Sequence, residues 1–251
     1  MGTIWWINPV GTAAFDEETL RAIEAVRAPH HRPVVRHLED GPQHLEYRSD
    51  GQRVIGPTLQ LARAAEADAA QAVVIGCFFD GGLRELRECL GLPVIGMGEA
   101  SMLLASTLGH RFSVIAGRRK WTAQIEQNAL LSGMDRHLAS VRAVNMTVPE
   151  ALAEPGMFFD RVRDAARSAV DHDGAEVIVL SEIAPPGFAR TLRSELGVAF
   201  VDPGMAAWKW AEMMADLYER EEVSHAEVGG YERPPPVGDS PAPVNPPIRA
   251  T

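Results

Sequence analysis

The chain alternates short runs that are apolar throughout with longer segments that are apolar along one helical face. Eight runs have the length and β-branched content of strands: 3–8, 34–38, 73–76, 93–97, 112–116, 141–144, 177–180 and 198–201. Helical periodicity recurs between them, in segments 16–27, 56–69, 120–133, 155–170 and 203–221. Apolar strands alternating with helices predict an α/β fold whose parallel sheet is covered on both faces, with ligands beyond the carboxyl ends of the strands.

Two segments of the chain resemble each other, one starting at Val73 and the other at Val177. Both read as strand, turn, helix ending in L-R-x-x-L-G, strand, small-residue turn and helix, so the chain looks like two copies of one α/β unit. Aligning the two helix ends requires one inserted residue in the turn, and it pairs Cys77 with Glu182. Two chemically capable side chains are therefore predicted at equivalent strand ends.

The repeat divides the chain into two predicted lobes and a tail. Residues 1–105 together with about 200–222 form the first lobe, and 106–199 form the second. The segment 223–251 is rich in proline and glycine and has no apolar period. It is predicted to be an extended tail or an arm laid over a neighbouring subunit.

Charge and composition exclude several classes of protein. A formal net charge of -10 and a pI near 5.3 argue against binding of nucleic acid or anionic lipid, which needs a basic surface. No apolar run approaches the roughly 20 residues of a membrane span, and the N-terminal segment lacks the features of a secretory signal. We expect a cytoplasmic protein whose partner is a small-molecule substrate.

The sequence does not predict a metal or cofactor site. His30 and His31 are adjacent in a basic stretch that reads as a surface loop, and no His/Cys cluster has ligand spacing. The segment GMGEAS lacks the lysine and the spacing of a phosphate-binding loop. In a reducing compartment, Cys77 and Cys89 are expected to be free thiols.

Cys77 stands where the strand VVIG breaks into the turn FFDGG. Free backbone N–H groups and a following helix N-terminus favour an anion there, so we expect a lowered thiol pKa and a reactive side chain. The alternative is a small buried core residue, which free cysteine often is. Cys89 lies on the apolar face of a predicted helix and is expected to pack in the core.

Six segments carry a family resemblance: INPVGT (7–12), VVIGCFFDGGLRELRE (73–88), PVIGMGEASMLLAS (93–106), RFSVIAG (111–117), VIVLSE (177–182) and FVDPGMAAWKWAE (200–212). Over roughly residues 3–215 the chain resembles the aspartate/glutamate racemase superfamily, and within it the hydantoin racemase branch. The resemblance implies two pseudo-symmetric, flavodoxin-like or Rossmann-like lobes, with the active site in the cleft between them. It also implies a homo-oligomer.

The resemblance further implies a mechanism without a cofactor. Family members place one cysteine at a strand end in each lobe, on opposite faces of the substrate's Cα. One thiolate removes the proton and the other thiol returns it on the far side. Cys77 matches the first of these cysteines. Where the second is expected, this sequence has Ser181 and Glu182.

Three interpretations of Glu182 stay open on the sequence. It can be the opposing acid/base of a racemase or epimerase acting on a small cyclic amide or amino-acid derivative. It can be a water-activating or orienting group beside a nucleophilic or proton-donating Cys77, giving hydrolysis, C–S or C–N cleavage, or decarboxylation. It can also be structural, in a non-catalytic binding protein that keeps the cleft. Pro185 and Pro186, which cannot donate backbone hydrogen bonds, indicate changed substrate recognition.

The resemblance also supplies candidate substrate-binding residues. Asn8 matches a substrate-contacting asparagine, with a turn-capping role as the alternative. Phe78 and Phe79 offer backbone N–H groups and rings beside the thiol, or pack in the core. Asp80 either caps the following helix or touches the substrate. The same reasoning predicts that Glu99 caps a helix.

A second departure from the family lies at Gly117, where relatives carry a threonine that holds the ligand. Arg118 is the predicted replacement for that contact. Ser181 and Ile183, on either side of Glu182, complete the predicted substrate-binding set.

Overall fold

Two four-stranded parallel sheets organise the computed structural model, which describes residues 2–184 and 187–235. The first sheet has the order β2-β1-β3-β4, and its strands are β1 Gly2–Asn8, β2 His31–His37, β3 Ala72–Ile75 and β4 Val94–Gly96. The second has the order β6-β5-β7-β8, and its strands are β5 Phe112–Ala116, β6 Leu138–Ala143, β7 Val177–Leu180 and β8 Ala199–Val201. The predicted α/β fold with two parallel-sheet lobes is confirmed.

The helices lie between the strands in the chain. Their bounds are α1 Asp16–Glu24, α2 Arg48–Ala67, α3 Leu83–Cys89, α4 Met97–Leu108, α5 Thr122–Leu131, α6 Val148–Ala153, α7 Pro155–Asp173, α8 Phe188–Leu196 and α9 Pro203–Glu221. Across residues 2–184 and 187–235, no helix combines the length and the apolar character that crossing a membrane requires.

The internal repeat of the sequence corresponds to equivalent positions in the two sheets. Gly76, just after β3, donates its backbone N–H to β1 at 2.8 Å, and Ser181, just after β7, donates to β5 at 3.0 Å. The strand order and the pairing register around them are also the same. Cys77 and Glu182, one residue further on, therefore occupy equivalent places at the two strand ends.

Helices α4 and α9 join the two halves. Helix α4 follows the first sheet but contacts β5, β7 and β8 of the second, whereas α9 follows the second sheet and contacts β1, β3 and β4 of the first. The two helices also pack against each other. The two helices cover a core cluster in which three large side chains are fully buried, namely Trp6, Phe112 and Trp208. The division into 1–105 with 200–222, and 106–199, stays a prediction.

The described part of the C-terminal segment packs against its own chain. The His225 ring accepts a hydrogen bond from the Val94 backbone N–H at 2.7 Å, and Arg87 donates to the Tyr231 hydroxyl at 3.5 Å. Burial lowers the pKa of His225 to about 4, so the ring is neutral and can accept that bond. Residues 223–235 thus cover an edge of the first sheet, while 236–251 lie outside the described residues.

Candidate active site

A cavity of about 450 Å³ lies where the carboxyl ends of strands from both sheets face each other. Such a volume is in the range of small-molecule sites. The structure brings all of the predicted site residues except Asp80 and Arg118 to its wall, namely Asn8, Cys77, Phe78, Phe79, Gly117, Ser181, Glu182 and Ile183. Cys77 and Glu182, which are 105 positions apart in sequence, thereby share one site.

The glycine before Cys77 is required by close packing at the strand end. A Cβ atom on Gly76 would lie 2.1 Å from Trp6 Nε1 and 2.8 Å from Asn8 Oδ1. Those two atoms are themselves hydrogen-bonded, because the indole N–H donates to the amide oxygen at 2.9 Å. The close approach of the backbone to this pair places Cys77 beside Asn8 in the cavity wall.

The Cys77 thiol is a weaker acid than the sequence predicted. Burial raises the pKa of Cys77 to about 12, and the Phe79 backbone N–H offsets only part of this rise. The negative charges of Asp80 and Glu182 raise it further. The expectation of a lowered pKa was wrong because desolvation outweighs the N–H groups of the turn. Near neutral pH Cys77 is therefore a protonated thiol that can donate a proton.

Glu182 is the complementary group. Burial raises its pKa to about 7, and the Ser181 hydroxyl and the Gly117 backbone N–H offset part of the rise. Its Oε2 atom is buried and has no hydrogen-bond partner within 2–184 and 187–235. Above pH 7 Glu182 is therefore a poorly solvated carboxylate, and it faces the same cavity as the neutral Cys77 thiol. The carboxylate can act as a base and the thiol as an acid.

Asn8 is held in place by a chain of hydrogen bonds. It is 4% exposed, and its Nδ2 donates to Asp16 Oδ1 at 2.8 Å. The other Asp16 oxygen lies 2.7 Å from His37 Nδ1. With Oδ1 accepting from Trp6, the second hydrogen on Nδ2 is the group that Asn8 can offer to a ligand in the cavity.

Most of the chain is similar to proteins of one known family. Residues 4–211 match the family model described as Asp/Glu/Hydantoin racemase. The chain belongs to this family. The hydantoin racemase of Pseudomonas sp. (strain NS671) is 30% identical over 211 residues, which cover 84% of this chain and 85% of that protein. The chain is an isomerase of the racemase type.

Solved structures of the family have the same architecture. The allantoin racemase from Klebsiella pneumoniae superposes with a TM-score of 0.85 at 26% sequence identity, covering 94% of each chain. The allantoin racemase from Pseudomonas fluorescens gives a TM-score of 0.84 at 27% identity, covering 93% of this chain and 97% of the other. The fold of a racemase of this family is therefore retained over nearly the whole length.

Gly117 and Glu182 lie close together in the cavity wall. A Cβ atom on Gly117 would lie 2.7 Å from the Trp121 ring, 3.1 Å from the Met146 carbonyl oxygen and 3.2 Å from Glu182 Oε1. A side chain at position 117 and the carboxylate of Glu182 therefore compete for the same space. Gly117 lines the cavity, and its lack of a side chain leaves space for that carboxylate.

Asp80 and Arg118 have other partners and do not line the cavity. Both Asp80 carboxylate oxygens accept bonds from the first turn of α4, from the Gly98 N–H at 2.9 Å and the Glu99 N–H at 2.7 Å. Asp80 thus caps α4 instead of the helix that follows it or the substrate. Arg118 forms an ion pair with Glu46, so its guanidinium already has a partner away from the cavity wall.

The cavity is also lined by residues that sequence reasoning missed. His44 lines the cavity, and its buried Nδ1 has no hydrogen-bond partner among the described residues. The apolar part of the cavity wall also includes three side chains of the second lobe, Trp121, Leu152 and Phe159. His44 lies in a stretch that reads only as a loop, so no local signal marks it.

The remaining candidate positions lie outside this cavity or outside the described residues. Cys89 ends α3, is partly buried and does not line the cavity. Glu99 pairs with Arg87 on the first lobe. Pro185 and Pro186 lie outside the described residues, so their effect on substrate recognition stays a prediction.

Proposed function

We propose that this protein is a cofactor-independent racemase of small cyclic amides, hydantoins with an apolar 5-substituent, and that it uses a Cys/Glu pair in place of two cysteines. One observation carries the proposal. Cys77 and Glu182 occupy equivalent strand ends in the two sheets and line one cavity, with the pKa of the thiol raised to about 12 and that of the carboxyl to about 7. Their different pKa values assign a proton donor and a base.

The reaction needs only one proton on the pair at a time. In one direction the Glu182 carboxylate takes the α-proton, the electron pair moves onto the adjacent ring carbonyl, and the Cys77 thiol protonates the opposite face of Cα. The product complex then holds protonated Glu182 and a Cys77 thiolate, which is the starting form for the other enantiomer. Asn8 Nδ2 supplies an N–H that can stabilise the developing oxyanion.

The cavity wall supports an apolar substituent. Most of the wall consists of aliphatic and aromatic side chains, among them Phe15, Leu45, Val148, Leu152 and Phe159, although Glu18, Thr19, His44 and Thr147 also line it. A polar substituent such as the ureido group of allantoin would lose hydrogen bonds to water against these apolar side chains, at a cost in binding free energy. A cavity of about 450 Å³ also leaves room beyond a single five-membered ring.

A 5-benzyl hydantoin is accordingly expected to be turned over with a kcat/KM about 10- to 100-fold above that of the 5-methyl compound, since burying an aromatic group contributes about 1.5–3 kcal/mol. Leu152→Asn should reduce this preference, because the residue lies on the wall yet is 54% exposed and tolerates polarity. Leu130→Asn, at an exposed position of α5, is the matched control. Equal kcat/KM values for the two compounds would contradict the assignment.

The pKa values predict the dependence of racemisation on pH. Both directions use the enzyme form with one proton on the Cys77/Glu182 pair, so kcat/KM for each enantiomer should rise as pH increases through about 7, where Glu182 ionises, and then level off. The rise should be reversible and identical for both enantiomers. A profile that does not rise near pH 7 would show that the catalytic base is a different group.

The proposal is tested by proton NMR in deuterium oxide together with polarimetry, on a panel of 5-substituted hydantoins and their ring-opened analogues. We expect the α-proton signal to disappear as optical rotation decays, with all other signals unchanged. New product signals would instead identify bond cleavage. The absence of exchange over the whole panel would reject hydantoins as the substrate class.

A further inference from the structure

A second group of ligand-type side chains lies at the end of the first sheet opposite the cavity. His30 and His31, where β2 begins, and Asp216 on α9 each offer one atom, and these atoms all lie within 4.8 Å of one another. Asp216 Oδ1 is 3.3 Å from His31 Nε2 and 3.5 Å from His30 Nε2. Both histidine rings therefore approach the same carboxylate oxygen of Asp216.

His31 is the unusual member of this group. The sequence predicted a surface loop, but β2 begins at His31 and its side chain is fully buried. Neither ring nitrogen has a hydrogen-bond partner within 2–184 and 187–235. A buried polar group without a partner is costly, so nitrogens left free and directed at a carboxylate require an explanation.

We propose that His30, His31 and Asp216 bind one divalent transition-metal ion, with Zn²⁺ as the best match, and that water completes the coordination. Two imidazole nitrogens and one carboxylate oxygen form a donor set that suits Zn²⁺, which is usually four-coordinate. His30 and Asp216 are partly exposed, with side-chain exposures of 59% and 38%, so solvent reaches the fourth position.

The surroundings favour a bound cation. The His31 ring is buried beside acidic side chains. Asp216, Glu212 and Glu219 place negative charge around the ring. With Nε2 directed at Asp216, the other nitrogen lies 3.8 Å from Glu212 Oε1. This arrangement resembles the carboxylate–histidine–metal contacts that orient ligands in zinc sites.

Glu212 is itself fixed in position. It accepts hydrogen bonds from Trp208 Nε1 at 2.8 Å and from the Ala28 backbone N–H at 2.6 Å, and it pairs with Lys209. A metal ion at this place would tie the amino end of β2 to α9, which are separated by more than 180 residues in the chain. The proposed role is structural, at a distance from the catalytic pair.

The experiment is calorimetric titration of the metal-stripped full chain with ZnCl₂, compared with His30→Gln and Asp216→Asn. Both side chains are partly exposed, so these variants are expected to fold, which circular dichroism checks. We expect one equivalent of Zn²⁺ to bind to the wild type. Each substitution should weaken binding by at least the roughly 10- to 100-fold that loss of an outer-shell partner costs. His172→Gln, at an exposed position of α7, should bind as the wild type does.

Thiols are the competing ligands, so the titration is repeated with Co²⁺, whose spectrum distinguishes nitrogen and oxygen ligands from thiolate. A spectrum without thiolate-to-cobalt charge transfer, unchanged in Cys77→Ser and lost in Asp216→Asn, supports the site. Three results overturn the proposal: no binding to the wild type, equal binding by the cluster variants, or binding that disappears with Cys77→Ser.

Discussion

Replacing Cys77 by serine is expected to lower the racemisation rate by about 10²–10⁴-fold, the contribution of one positioned acid/base group. Serine keeps the size of the side chain, but its hydroxyl is a far weaker acid than a thiol and cannot protonate Cα at a useful rate. Polarimetry measures the loss, and deuterium incorporation shows which step fails. Because the cavity wall is kept, substrate should still raise the melting temperature.

Cys89→Ser is the matched control for this variant. Cys89 is the other cysteine of the chain, it ends α3, and it does not line the cavity. Its substitution should leave racemisation unchanged. If Cys77→Ser also retained most of the activity, Cys77 would be a wall residue and the proposed mechanism would be wrong.

Substituting Glu182 by glutamine is expected to produce a comparable loss of racemisation, about 10²–10⁴-fold, with a distinctive pattern of exchange. Glutamine fills the same space beside Gly117 but cannot accept a proton. Exchange of the enantiomer whose α-proton faces Glu182 should therefore cease. The other enantiomer, whose α-proton faces Cys77, should still exchange slowly with retention of configuration at high pH, where part of the Cys77 is thiolate.

The measurement is deuterium incorporation into each pure enantiomer, followed by NMR and chiral chromatography. Cys77→Ser should show the opposite preference, since it leaves only the carboxylate as a base. Glu126→Gln, on α5 and exposed, controls for the loss of a negative charge. Equal loss of exchange for both enantiomers in Glu182→Gln would indicate that Glu182 orients the substrate or activates water, and would favour the bond-cleaving interpretation.

Much of the fold follows from local patterns in the sequence. Each of the eight apolar runs overlaps a strand of the structure. The central strands β1, β3, β5 and β7 are apolar because they are buried on both faces. The repeat from Val73 and Val177 fixes which strand ends are equivalent. The position of Cys77 and Glu182 at those ends could thus be predicted from spacing alone, and the family from the motifs around them.

The protonation state of the site was decided by the tertiary structure. A turn followed by a helix N-terminus suggests a lowered pKa for Cys77, yet burial raises it to about 12. Desolvation depends on every segment that excludes water, and those segments are distant in the chain. The same holds for Asp80, whose turn position suggested a cap for the next helix but whose carboxylate reaches α4.

Contacts between residues that are far apart in the chain could likewise not be predicted from local sequence patterns. Arg118 is paired with Glu46, 72 residues earlier, and His44 joins the cavity from a loop without a motif. His31 meets Asp216 only because α9 returns to the first sheet. Hydrophobic period and turn chemistry act over a few residues, so the sequence by itself determined the elements, their repeat and the two strand-end groups. Which side chains meet, and how far water is excluded from them, depends on distances in space and was decided by tertiary packing.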